Sequence, residues 1–146
     1  MRTEGVFAPE TEAETFAAFD DVGPAAQTVV REAARAMAFD REEYDERVTG
    51  AVVETARDAL FASLLSVSVG DREEYESWCD SHEAYEVHET GAENVDNVVW
   101  HAAPVAETAV AATFQSEADA AIATLRRQAF GRIYRPIVND DAGGSE

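Results

Sequence analysis

Charge sets the strongest limit on what this chain can fold into. Its 146 residues hold thirty Asp and Glu against eleven Arg and no Lys, a net charge of −19 at pH 7. Self-repulsion of that size opposes any compact state. The opposing material is thin: Leu, Ile, Val and Phe number thirty together, and the 28 alanines bury little area each. Chains in which those four types fall below about 20% at high net charge tend towards disorder. Salt shifts the balance, because the Debye length shrinks from about 10 Å at 0.1 M to about 3 Å at 1 M. The composition therefore points to a fold that is marginal in dilute buffer and stable in the cytoplasm of a salt-accumulating organism. A GC-rich genome would account for the missing lysine, but not for thirty carboxylates.

The same balance excludes several functions. An acidic surface disfavours nucleic acid and anionic membrane, whose phosphates need cationic partners. A single cysteine, Cys79, rules out an intramolecular disulfide. The N-terminus shows no basic stretch leading into an apolar one, so a secretory signal is not expected. No apolar run approaches the roughly 20 residues of a membrane span. The expectation is a soluble cytoplasmic protein. Phosphate-binding glycine loops, dinucleotide fingerprints, HExxH, CxxC and GxSxG are all absent, so no catalytic residue can be named. The pairs Asp20-Asp21, Glu42-Glu43 and Glu73-Glu74 would merit attention as acid/base pairs elsewhere. Among thirty carboxylates they are a solvated face.

Periodicity argues for folding. Thr11 and Glu14 form a capping-box pattern before a short helix through Phe16 and Phe19 that ends near Gly23-Pro24. Ala26, Val30, Ala33 and Met37 recur at helical spacing, as do Val53, Ala56, Leu60 and Leu64 after Thr49. Asp40 with Glu43, and Asp71 with Glu74, mark two more helix starts. Ser66–Val69, Glu83–Glu89, Val98–Ala102 and Thr108–Phe114 alternate or run apolar and read as strands. Ser116 and Asp119 are expected to cap a final amphipathic helix through Ala118, Ile122, Leu125, Ala129 and Ile133, stopped by Pro136. The order predicts one α+β domain over residues 1–138. N-terminal helices precede an antiparallel sheet of about four strands, since closely spaced strands favour antiparallel pairing. Helices cover one face, the amphipathic helix closes the chain, and residues 139–146 form a polar, disordered tail.

Two groups of residues carry candidate chemistry. Cys79, His82, His88 and His101 include every histidine of the chain, and zinc accepts such mixed sulfur and nitrogen ligands. Their spacing matches no standard zinc pattern. The plainer reading is a histidine at a helix end, a strand histidine facing solvent and a small buried cysteine. The second group is Arg126, Arg127, Arg132 and Arg135. Residues 120–139 hold these four arginines and no acid, inside a chain that is otherwise strongly negative. Cations near a helix C-terminus complement its dipole, which explains them without function. Arginine's fork also fits carboxylate and phosphate, so the segment can dock an acidic surface or hold a small anion. Trp78 and Trp100 read as core anchors.

The stretches Thr3–Pro9 (TEGVFAP), Val22–Glu32 (VGPAAQTVVRE) and Ala129–Arg135 (AFGRIYR), taken with the composition, resemble a family of small haloarchaeal proteins of unknown function. That resemblance implies a haloarchaeal source and a free-standing cytoplasmic domain, and carries no activity or cofactor. From the residues, the leading expectation is a non-enzymatic binding or interaction module. It would act as a homodimer or partner subunit through the C-terminal helix and Arg126, Arg127, Arg132 and Arg135. The alternatives are a metal-binding protein or metal-dependent enzyme built on the histidine window, with zinc as cofactor, and an anion- or nucleotide-binding regulator built on the arginines.

Overall fold

Side-chain caps fix where the helices begin. In the computed structural model, which describes residues 1–92 and 94–143, Thr11 caps α1 (Glu12–Asp21), Asp40 caps α3 (Arg41–Arg47) and Thr49 caps α4 (Gly50–Ser63). Each oxygen accepts a backbone N–H three residues on, at 3.0, 2.9 and 3.3 Å. That bond satisfies one of the donors every helix start leaves free. Asp71 and Glu74 close a complete capping box on α5 (Arg72–Ser81), with reciprocal bonds of 2.8 and 2.9 Å. Glu14 reaches back past Thr11 to the N–H of Glu10 at 3.2 Å. Between α1 and α3, α2 (Gly23–Ala36) carries proline in its first turn, where the missing N–H costs nothing.

Five strands form the sheet: β1 (Arg2–Glu4), β2 (Val67–Asp71), β3 (Glu86–Thr90), β4 (Asn97–Ala103) and β5 (Thr108–Phe114). Their spatial order is β1-β2-β4-β5-β3, antiparallel throughout except that β3 lies parallel to β5. The expected sheet of about four antiparallel strands is thus corrected to a mixed sheet of five. The chain leaves β3, passes the end of β5 and enters β4 on its far side. Gly91 makes that passage: its φ is +95°, and a Cβ there would sit 2.0 Å from the Thr113 hydroxyl. Strand β1 has no apolar alternation. It pairs because β2 offers a free edge and because the Val6 and Phe7 amides both donate to the Leu64 carbonyl, at 2.8 and 2.9 Å.

Helices occupy both faces, not one as expected. On the larger side, α1, α4 and α6 (Ala118–Ala129) pack Phe19, Phe61, Ile122 and Leu125 against Val67, Val69, Val99 and Val110. On the other, α5 lays Tyr75 over Val98, Trp100 and Ala111, with Trp78, Cys79 and Val87 around them. Strand β4 is buried on both sides, which is why its sequence runs apolar and does not alternate.

The C-terminal helix departs from expectation twice. Glu117 occupies the N-cap position of α6, and no side chain caps it; Ser116 and Asp119 do not serve. Nor does Pro136 end the helix. A π-helical turn, Phe130–Tyr134, joins α6 to α7 (Arg135–Gly143), and Pro136 is the second residue of α7. The Arg135 amide donates to Phe130, five residues back. In a regular α-helical turn the Pro136 ring would press on the Arg132 carbonyl; the widened turn lies directly before it. Residues 139–143 of the expected tail continue α7, and 144–146 lie outside the described residues. Among the described residues no helix is long and apolar enough to cross a membrane.

Candidate anion-binding site

The four C-terminal arginines part company. Arg126 turns inward and its Nε donates to the Leu65 carbonyl at 2.9 Å, so it ties α6 to the end of α4. Arg135 lies over the Phe130 ring, 5.2 Å from its centre. Its charge pulls against the desolvation that raises the Asp58 carboxyl. Arg127 and Arg132 instead line one cavity of about 470 Å³ between β3 and the end of α6. His88 and Thr90 form its strand wall, Gln128 and Gly131 complete the helix wall, and Val110 supplies an apolar floor. Among the described residues no carboxylate lines it. Among the described residues neither Arg127 nor Arg132 forms an ion pair; Arg127 reaches only the Thr124 hydroxyl, at 3.4 Å.

The sheet register explains the strand wall. His88, Val110 and His101 are cross-strand neighbours on β3, β5 and β4, so their side chains share the face beneath α6. His88 Nε2–H donates to Glu86 Oε2 at 2.7 Å, which leaves Nδ1 to accept from Arg132 at 3.4 Å. His88 thus stands between Arg132 and the Glu86 carboxylate, one at each ring nitrogen.

The same register divides the candidate metal ligands between the two faces. Cys79 sits on α5 and His82 caps its C-terminal end, across the sheet from His88 and His101. His82 Nδ1–H donates to the Trp78 carbonyl at 2.8 Å, and its ring stacks on Trp78. Burial pushes the Cys79 thiol up. His101 is fully buried with both nitrogens engaged: Nδ1 to the Ser66 carbonyl at 2.5 Å, Nε2 to the Tyr134 hydroxyl at 2.7 Å. Among the described residues no three His, Cys, Asp or Glu side chains gather where a metal ion could bind.

A carbonyl only accepts, so His101 carries its proton on Nδ1 and Nε2 accepts from Tyr134. Desolvation lowers the His101 pKa from 6.5 to about 4. A neutral imidazole in the fold and a titrating one in the unfolded chain make the unfolded state bind more protons below about pH 6.5. This contribution to stability is complete above that pH and falls as pH drops towards 4, by about 3 kcal/mol in all. Nitrogen-detected NMR should show His101 as the neutral Nδ1–H tautomer at pH 6. A ring titrating near 6.5 would contradict the buried bonds.

A second cavity, of about 730 Å³, opens between α5 and β3. Three glutamates line it, and its own cation, Arg72, is already paired with Glu89 at 3.1 Å. Sequence reasoning found Arg127 and Arg132 from the local absence of acid. It missed Thr90, Gln128 and Gly131, and placed His88 in the wrong company, because strand register is not written in spacing. It also grouped all four arginines, where inward and outward directions separate them. The apolar side of α6, Ile122, Leu125 and Ala129, is buried in the protein's own core. A homodimer through this helix would rest on its charged side alone.

The chain belongs to a family of unknown function, DUF5809, whose model matches residues 6–135. No curated protein and no solved structure matches it.

Proposed function

We propose that this protein is a binding module for a small phosphate-bearing molecule, held in the cleft of Arg127, Arg132, His88, Thr90 and Gln128, in the saline cytoplasm of a salt-accumulating organism. One observation carries the reading: in a chain of thirty carboxylates, two arginines share a cavity that no carboxylate among the described residues lines. Arginines used for charge balance within the fold would sit against acids, as Arg72 and Arg2 do. Two guanidinium forks with an amide and a hydroxyl offer more donors than one carboxylate takes up, which favours a phosphate dianion. The cavity lies within the roughly 300–1,000 Å³ of small-molecule sites. Its Val110 floor gives the body of such a ligand an apolar seat. The only acid–base group of the lining among the described residues, His88, is held between Glu86 and Arg132, which supports retention of a ligand rather than its conversion.

Calorimetry with inorganic phosphate, at constant ionic strength in molar KCl, tests this. Saturable binding is expected. Hydrogen bonds to charged groups are worth about 1.5–3 kcal/mol, so Arg127→Gln should weaken binding about tenfold or more. Equal binding by wild type and variant, or none by wild type, would overturn the reading.

A further inference from the structure

Arg127 and Arg132 are five residues apart, and in a regular α-helix that spacing turns side chains about 140° away from each other. They nonetheless line one cavity. Gln128 and Gly131 fill the arc between them, and Arg132 is itself the middle residue of the π-helical turn. One extra residue widens that turn, which the Arg135 amide closes on the Phe130 carbonyl, so the turn's register sets the direction of Arg132. The arginine side of the cleft therefore depends on a register that is rare in helices and needs support from elsewhere.

That support is visible on the opposite side of the turn. Tyr134, its last residue, is fully buried and donates its hydroxyl proton to His101 Nε2 at 2.7 Å; His101 in turn donates to the Ser66 carbonyl. Phe130 and Ile133, within the same turn, are buried beside it. Were the turn to tighten to α-helical form, the residues after it would rotate by about 100°. The Tyr134 hydroxyl and His101 Nε2 would then both be left without partners in the core, and each such group costs about 1–3 kcal/mol. Turning inward, Tyr134 fixes the register; turning outward, the same turn carries Arg132 into the cavity wall.

We infer that Tyr134 and His101 are positioning residues for the anion cleft, acting through the π turn; this rests on the anion-binding reading above. Neither side chain lines the cavity, and Tyr134→Phe removes only the hydroxyl. The variant should keep the wild-type circular dichroism in molar KCl and lose at least about fivefold in affinity for inorganic phosphate, the lower end of ordinary coupling between sites. The decisive readout is a double-mutant cycle. Arg132→Gln should cost affinity in the wild type and little more in the Tyr134→Phe background, because Arg132 is already out of place there. A purely structural role for Tyr134 would leave the two effects additive.

Unchanged phosphate affinity in Tyr134→Phe, with Arg127→Gln still defective, overturns the positioning role and leaves the anion site standing. Additive losses do the same. No phosphate binding by the wild type overturns both. Should Tyr134→Phe fail to fold, the wild type decides: saturating phosphate should slow hydrogen exchange at the Arg135 amide, since ligand and register must stabilise each other reciprocally. Exchange at that amide unaffected by phosphate would refute the coupling.

Discussion

Moved from about 1 M to about 0.05 M KCl, the protein should lose its cooperative thermal transition and most of its helical circular dichroism, because the screening length grows from about 3 Å to beyond 10 Å. The charge of −19 has little internal compensation. The carboxylate ion pairs among the described residues are Met1–Glu74, Arg2–Glu4, Arg35–Glu32 and Arg72–Glu89, with His88–Glu86 beside them when protonated. All but Arg72–Glu89 include an exposed group, and such pairs contribute about 0–1 kcal/mol each. Helices α2 and α3 should melt first. Val29, Met37 and Val52 stay exposed around them, and α3 buries no residue at all. A melting temperature that is the same at both salt concentrations would remove the argument from charge.

Phe61→Ala should be the most damaging single truncation. Phe61 is fully buried, and four aromatic rings surround it: Phe7, Phe19, Phe130 and Tyr134, with centroids 5.4 to 5.9 Å away. Its ring packs with rings from the N-terminal segment, α1 and the π turn together. Removing a buried phenylalanine costs about 3–5 kcal/mol, a large share of the roughly 5–15 kcal/mol that a domain holds. In molar KCl the melting temperature should fall by about 10–20 °C. Val29→Ala, on the exposed surface, should change it little. Comparable melts for the two variants would show that the aromatic cluster is not the centre of the core.

Local chemistry was legible along the chain. Thr11, Asp40, Thr49 and Asp71 announced helix starts because a cap needs only its own side chain and an amide three residues on. Four of the five strands, β2 to β5, were legible from their patterns, and the acid-free interval of the arginines from charge alone. The sheet's order was not. Whether β3 joins β4 or β5 depends on which edge is free once the chain has crossed over at Gly91, and no pattern within β3 records that. The same holds for His88 and His101, which look alike in sequence. One meets Arg132 at the rim of a cavity, and the other is sealed between Ser66 and Tyr134. Nor could the π turn be read, since helical periodicity presumes 3.6 residues per turn and Pro136 looks like a stop. Sequence determined the charge, the elements and which cations were worth watching. Only the tertiary structure decided which two arginines meet, because a widened turn is held open by contacts with residues more than thirty positions away.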